Sequence, residues 1–548
     1  MSATFASQPF VCGALGVVRE DEWLQLIGSA PAGTVTLDIG AGARFAATGN
    51  SRGLERVPQG WCWGRYIGRS TRATSIDSAA NELGLAGYWR GHTDTAVVHG
   101  DALGFQDLYY RRLESAVYFS NRIEPLLAIR PAQRIHADWG AWARFFTFLG
   151  FTGSDTGFAE VRRLERSGRL TLTAAGVEII AAPGPRWLTS PNASEPISGV
   201  AEALAEVVRD VSPGMSADGV DLTLSGGHDS RLVLAALQRS EARGLRASVT
   251  PHENGWDADV RVARQVAKAS RIGLREVGWS AEDWIVARGE VASRLEFQTA
   301  LHNWFSPLAR SLYGSRRPLL DGLAGDKLLH YHALQTGSDP QAHRTDVLRR
   351  IGGWRISKPD ILNRDVEETF SEITSSYWME RTAHWGLHPY AEVLYWLEHR
   401  TNRVIAAAPF RLFGPERMVV TPLIDPTFVA AVFNSRHSQP GEPDIRQRLL
   451  QILDPTLAKM ETTNTMRSDP RSFVPRGLSL PMARLELASV VGRLPFARTI
   501  FRGQTLDRLV AGKELSPDAL VLLRATAVLS DWYSAYHDRL ANAEPDWT

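Results

Sequence analysis

The chain has 548 residues, 61 of them Lys or Arg and 60 Asp or Glu, leaving a formal net charge of +1 at pH 7. So close a balance supports neither a nucleic-acid face nor an anionic-membrane surface, and the length accommodates two or more domains with sizeable cores. Cys12 and Cys62 are the only cysteines, too few for a disulfide framework, no apolar run could span a bilayer, and the first residues lack a signal-peptide pattern, so a soluble cytoplasmic protein is expected.

Residues 10–180 read as β-rich. Val11 to Val18, Thr34 to Asp38, Ala96 to His99, Ala116 to Phe119 and Arg169 to Leu172 are short apolar or alternating runs between Gly and charged turns. The Pro- and Ser-rich stretch from Ala182 to Pro196 reads as a linker, dividing the chain into domains at 1–187 and 188–548. Beyond it the pattern changes. A helix from Ile197 to Val211 precedes an apolar strand and a glycine turn. A strand at Arg246 to Thr250, a helix at Ala258 to Ala269 and a strand at Leu274 to Val277 follow. Strands alternating with helices imply an α/β domain with a doubly wound parallel sheet, whose ligands bind at the carboxyl ends of the strands. The remainder is mostly helical by pattern. The seventeen tryptophans are scattered, as core or groove residues would be.

The glycine turn is Asp221-Leu-Thr-Leu-Ser-Gly-Gly-His-Asp-Ser-Arg231. Leu224 ends the strand, Ser225, Gly226 and Gly227 can bring backbone N–H groups close to an anion, and the helix that follows adds the positive end of its dipole. No Gly-x-x-x-x-Gly-Lys-Ser/Thr is present, so this is not the common P-loop. A carboxylate at a phosphate site is repulsive unless a cation lies between them, so Asp229 points to Mg²⁺. Ser230 completes the loop, His228 reads as a spacer, and Arg231 is placed to pair with pyrophosphate or to form a surface pair.

Ser225-Gly-Gly-His-Asp-Ser230 resembles the pyrophosphate loop of the ATP pyrophosphatases, the adenine-nucleotide α-hydrolase-like group that includes asparagine synthetase, β-lactam synthetase and lasso-peptide cyclases. Pro318-Leu-Leu-Asp-Gly-Leu-Ala-Gly-Asp-Lys-Leu-Leu329 resembles the asparagine-synthetase segment in which a Gly-x-Gly-x-Asp turn binds adenylate and supplies a second Mg²⁺ carboxylate. The match implies Gly322 at the nucleotide and Asp326 beside Asp229 on the metal. Asp257-Ala-Asp-Val-Arg-Val-Ala263 resembles the family's Asp-x-x-x-Ala helix, with Asp259 in register, and Val419-Val-Thr-Pro-Leu-Ile-Asp425 a looser form of its Arg-x-Pro-Phe-Leu-Asp segment.

The first domain resembles the family's N-terminal-nucleophile (Ntn) amidotransferase domain in degraded form. Asp101-Ala-Leu-Gly-Phe-Gln-Asp-Leu-Tyr-Tyr110 and Phe119-Ser-Asn-Arg-Ile-Glu-Pro-Leu-Leu127 are similar to two of its segments. Cys12-Gly-Ala-Leu-Gly16 is similar to the family's nucleophile start, but Cys12 is internal, and the segment that grips glutamine has no match. Gly64-Arg-Tyr-Ile-Gly68 is the nearest and lacks its Asn and Glu. Cys12 is therefore expected as a buried strand residue and the domain as inactive, so the amine belongs to the substrate itself.

The resemblance implies an ATP- and Mg²⁺-dependent, AMP-forming carbon–nitrogen ligase. It adenylates a carboxylate, releases pyrophosphate, then joins the acyl group to an amine. A lasso-peptide-cyclase-like macrocyclase acting on a precursor peptide, with a leader protease or leader-binding partner, is the specific case preferred. A true asparagine synthetase and a non-catalytic ATP-binding partner protein are the alternatives. The family's base slot is occupied by Leu323, which takes no proton, so Glu296, His302 or Glu398 would serve instead. The family's Pro-Lys turn, which carries its oxyanion lysine, has no match here, and Lys459 and Arg467 are the candidates for that role.

Overall fold

Alternation along the first strands sorts their side chains between two apolar cores. In strand β1 (Val11–Gly16) Val11 and Leu15 face one core and Cys12 and Ala14 the other. A computed structural model describes residues 10–40, 42–48, 54–57, 60–64, 86–92, 95–181, 184–191, 194–211, 219–240, 242–252, 257–278, 280–315, 317–329, 339–357, 361–413, 417–435, 444–463, 481–545 and 547. The further strands of this half are β2 (Thr34–Gly40), β3 (Ala43–Thr48), β4 (Leu54–Val57), β5 (Gly60–Gly64), β6 (Ala86–His92), β7 (Thr95–His99), β8 (Tyr109–Leu113), β9 (Ala116–Ser120), β10 (Val161–Arg163), β11 (Arg169–Thr173) and β12 (Gly176–Ile180). They pair antiparallel into two six-stranded sheets, ordered β10-β8-β9-β1-β3-β2 and β12-β11-β7-β6-β5-β4. Phe45 stacks against Trp63 and Trp89 between them, with ring centroids 5.7 and 5.4 Å apart.

The other face of β1 belongs to a core shared with helices Glu20–Gly28 and Trp139–Phe148, and helices Pro481–Gly492 and Pro517–Tyr536 from the far end of the chain complete it. Trp532 lies 5.0 Å from Trp142, centroid to centroid. The last helices are thus built into the β-rich half.

The second half contains a parallel sheet of β13 (Val220–Thr223), β14 (Leu245–Val249), β15 (Gly273–Glu276), β16 (Leu319–Leu320) and β17 (Val419–Val420), ordered β15-β14-β13-β16-β17. The chain starts in the middle, builds outward to β15, then returns to the other side of β13. That reversal creates a switch point between β13 and β16. The first three strands fall where the sequence pattern places them; β17 has only two residues and was not readable as a strand. Helix His228–Arg239 is buried nearly all round, because helices Ile197–Val211 and Ile445–Leu453 cover it. Asp221 is fully buried inside β13, with Arg246 at 2.9 Å, Arg317 at 3.0 Å and Arg417 at 3.5 Å. The fold is mixed α/β, with antiparallel sheets in one half and a parallel sheet in the other. No helix among the described residues is long and apolar enough to cross a membrane.

Candidate functional site

At the carboxyl ends of β13, β14 and β16 lies a cavity of about 380 Å³. Leu224, Ser225, Asp229, Ser230, Gly322 and Asp326 line it, so one site collects most of the residues singled out in the two glycine turns.

The Ser225–Ser230 loop is held from several directions. Its Ser225 N–H donates to Ser230 Oγ at 3.1 Å, and the Gly227 N–H donates to Ser225 Oγ at 3.2 Å. The Gly226 N–H donates to Asp259 Oδ1 at 2.9 Å, and Thr463 N–H donates to Gly226 O at 3.1 Å. Gly226 is required sterically: a Cβ there would stand 2.2 Å from Thr463 Cγ2. Gly227 caps the helix with extended backbone and no side-chain bond, so the first helical N–H groups point into the loop.

The second turn packs against the first. A Cβ on Gly322 would come within 2.7 Å of the Ser230 nitrogen, and one on Gly325 within 2.6 Å of Asp229 Cγ. This is why the Gly322-Leu-Ala-Gly325 turn carries glycines and how Asp326 reaches Asp229. Ala324, between them, has φ 72°, and His302 across the cavity has φ 80°. Two non-glycine residues in the left-handed region line one cavity, and such conformations gather at functional sites.

Burial pushes the Asp229 carboxyl up to about 7, and the neighbouring charge of Asp326 pushes the same way; Arg446 opposes it. Asp229 Oδ1 is buried without a hydrogen-bond partner. Asp326 is half-exposed, and Lys327 Nζ sits 3.0 Å from its Oδ2 and 4.2 Å over the Trp396 ring. Among the described residues no group of three or more His, Cys, Asp or Glu side chains could hold a metal ion. The protein offers a cation two carboxylates, and further ligands would have to come from elsewhere.

The remaining predicted residues lie differently. Arg231 is buried, and its guanidinium donates to the carbonyls of Leu457, Met460, Gly226 and Glu461. That corrects both expectations for it: Arg231 pins the loop to residues 457–461 instead of facing pyrophosphate or the surface. Lys459 is exposed and outside the cavity lining. Arg467 lies outside the described residues, as do residues 65–68. Leu323 is buried in the lining.

Of the three candidate bases, two are engaged elsewhere. Glu296 accepts from the Ile123 N–H at 2.6 Å and from Arg411 at 2.9 Å. Glu398 pairs with Arg166 and accepts from Trp385 Nε1 in a separate cavity of about 900 Å³, which shares no residue with the first. His302 lines the smaller cavity. Its Nε2 lies 2.6 Å from the Val404 carbonyl, which can only accept, so Nε2 carries the hydrogen. Nδ1 is then an unprotonated acceptor, buried and without a partner. Burial holds this imidazole down to about 4, and it stays neutral near pH 7.

Sequence reading missed the cavity's aromatic wall. Trp304 lies 4.5 Å from His252 and Phe305 5.7 Å from Phe413, centroid to centroid. The Trp-Phe pair just ahead of β16 was its available signal. Arg446, some two hundred residues from Asp229, had none.

Cys12 is fully buried in β1 between β3 and β9, and burial pushes its thiol up. The Asp101 turn forms as the motif suggests: its carboxylate accepts from the N–H groups of Leu103, Phe105 and Gln106. Asp107 and Tyr109, just beyond, both accept from Arg411, at 2.8 Å each. Arg411 belongs to the wide-turn helical segment Ala408–Phe413, whose Ala408 and Phe413 line the cavity. The β-rich half therefore grips one wall of the site.

No family model and no curated protein matches the chain. Twenty-three chains of solved structures do. Among them is a distant structural neighbour, the glutamine phosphoribosylpyrophosphate (PRPP) amidotransferase from B. subtilis complexed with ADP and GMP, at 8% identity and a TM-score of 0.22, covering 50% of this chain and 91% of that one.

Proposed function

We propose that this chain is an ATP- and Mg²⁺-dependent, AMP-forming amide ligase of the asparagine-synthetase type, with residues 188–548 as the synthetase domain and 1–187 as an inactive Ntn-amidotransferase-like domain. The meeting of the Ser225–Ser230 loop with Asp229 and Asp326 at the strand switch point carries the reading. The unpartnered Asp229 oxygen and the mutual repulsion of the two carboxylates fit the binding of a divalent cation. Asp229 and Asp326 would hold Mg²⁺, which would screen the phosphate charge.

In the proposed reaction a carboxylate oxygen attacks the α-phosphorus of ATP. The bond from that phosphorus to the bridging oxygen breaks, and pyrophosphate leaves toward the loop, where the first N–H groups of helix His228–Arg239 and its dipole would face it, the N–H groups of Ser225, Gly226 and Gly227 being engaged within the loop and by Asp259. An amine nitrogen then attacks the acyl carbon and the bond to AMP breaks. The surplus amine proton leaves to solvent, with His302 Nδ1 placed to accept a hydrogen bond from the attacking amine. Because Cys12 is buried in mid-sheet, the amine is supplied by the substrate. A macrocyclase of the lasso-peptide-cyclase kind, working in the cytoplasm on a precursor peptide with a leader protease or leader-binding partner, satisfies these requirements.

The test is exchange of labelled pyrophosphate into ATP with Mg²⁺ and pooled amino acids and Asp- or Glu-containing peptides, followed by hydroxylamine trapping. Exchange and a hydroxamate are expected. ATP binding by calorimetry without exchange would favour a non-catalytic binding protein.

A further inference from the structure

The cavity has two chemically unlike ends. On the β14 side the hydroxyls of Ser248 and Thr250 are buried and without partners. A second part of the lining is apolar: Leu323 in the turn after β16, and Ile405, Ala408, Pro409 and Phe413, with Phe305 edge-on to Phe413. Asp229 and Asp326, from the ends of β13 and β16, lie in the lining beside them. Among the described residues, no Lys or Arg lines any part of it.

An adenylate reacting here extends in two directions from its phosphorus. Ribose and adenine need hydrogen-bond donors and acceptors, which the β14 end supplies. The group bearing the carboxylate is left with the apolar end. A second carboxylate there would lose its hydration with no Lys or Arg among the described lining residues to replace it, and the half-buried Asp321 lines the same cavity. Resting on the adenylate-forming reading above, we infer that the acyl substrate presents an apolar or aromatic group, and no second carboxylate, beside the reacting one. Free aspartate does not meet that description. A peptide-borne carboxyl group with apolar surroundings does.

Three stable adenylate analogues test this by calorimetry on the full chain with Mg²⁺: 5′-O-sulfamoyladenosine, its N-phenylacetyl derivative and its N-succinyl derivative, which carries the extra carboxylate. The phenylacetyl compound is expected to bind about tenfold or more tighter than the parent, from burial of its ring, and the succinyl compound more weakly than the parent. In Ile405→Ala and Phe413→Ala the phenylacetyl advantage shrinks, while parent affinity stays within about twofold. Succinyl binding as tight as phenylacetyl would overturn the inference and leave the adenylate reading standing. If neither the parent nor ATP binds, the adenylate reading fails and the inference falls with it.

Discussion

Gly325 lies directly against Asp229: a Cβ at Gly325 would stand 2.6 Å from Asp229 Cγ and 2.8 Å from Oδ1. The missing side chain allows two turns, separated by about a hundred residues, to bring their carboxylates together. Gly325→Ala is expected to displace Asp229, destabilise the fold by about 1–3 kcal/mol through overpacking, and lower adenylation at least about tenfold. Gly289, inside helix Ala281–Arg294, has nothing within 4 Å of its would-be Cβ. Gly289→Ala should therefore stabilise by about 0.5–1 kcal/mol, and thermal denaturation of the two variants checks the contrast.

Asp229 carries a stability penalty with a definite pH sign. Its carboxyl titrates near 3.8 when unperturbed and at about 7 in the fold. Between those values the folded state holds the extra proton, so stability falls as pH rises from about 4 through about 7. Asp229→Asn removes this term. With Mg²⁺ chelated at pH 8 it should be more stable than the parent by on the order of 2–4 kcal/mol, yet inactive in pyrophosphate exchange. Parallel stability–pH curves for parent and variant would refute the placement of this charge.

His302 is expected to act in the amine step alone. His302→Gln should leave pyrophosphate exchange and hydroxamate formation within about threefold, because hydroxylamine attacks without a base. Amide formation should drop on the order of a hundredfold and recover as rising pH deprotonates the amine. Equal losses in both assays would assign His302 a packing role.

Arg411 joins the two halves through Asp107, Tyr109 and Glu296. Burial alone would raise the Asp107 carboxyl, but Arg411 and Arg163 hold it well below the usual carboxylate range. Arg411→Met leaves Asp107 and Glu296 without this cation and should destabilise by about 3–5 kcal/mol. Asp107→Asn should lose less, because the amide keeps one acceptor for Arg411. Urea denaturation orders the two.

Cys12 should resist iodoacetamide in the native protein and react only after unfolding, since a buried thiol of raised pKa has almost no thiolate. Cys12→Ser should leave amide formation unchanged, and no glutamate should be released from glutamine. Native-state labelling together with glutaminase activity would contradict this account of the first domain.

The short loops were legible because their chemistry is local. Ser225 to Ser230 follow one strand and begin one helix, and the turn around Asp326 repeats that grammar. Arg231 was misread because its four carbonyl partners come from Gly226 and residues 457–461, and nothing nearby in sequence announces them. The three base candidates could not be ranked from sequence, since burial, tautomer and partner decide among Glu296, Glu398 and His302. The contribution of the final helices to the β-rich core was equally hidden: Trp142 and Trp532 meet across nearly four hundred residues.

The most direct measurement of the central claim is the identity and ratio of nucleotide products. The protein is incubated with Mg²⁺, ATP labelled at the α- and γ-phosphates and the pooled carboxylates, and the products are separated by anion-exchange chromatography, with Asp229→Asn as control. AMP and pyrophosphate are expected in equal amounts, one of each per amide formed, and neither from the control. ADP and orthophosphate as the products would contradict it.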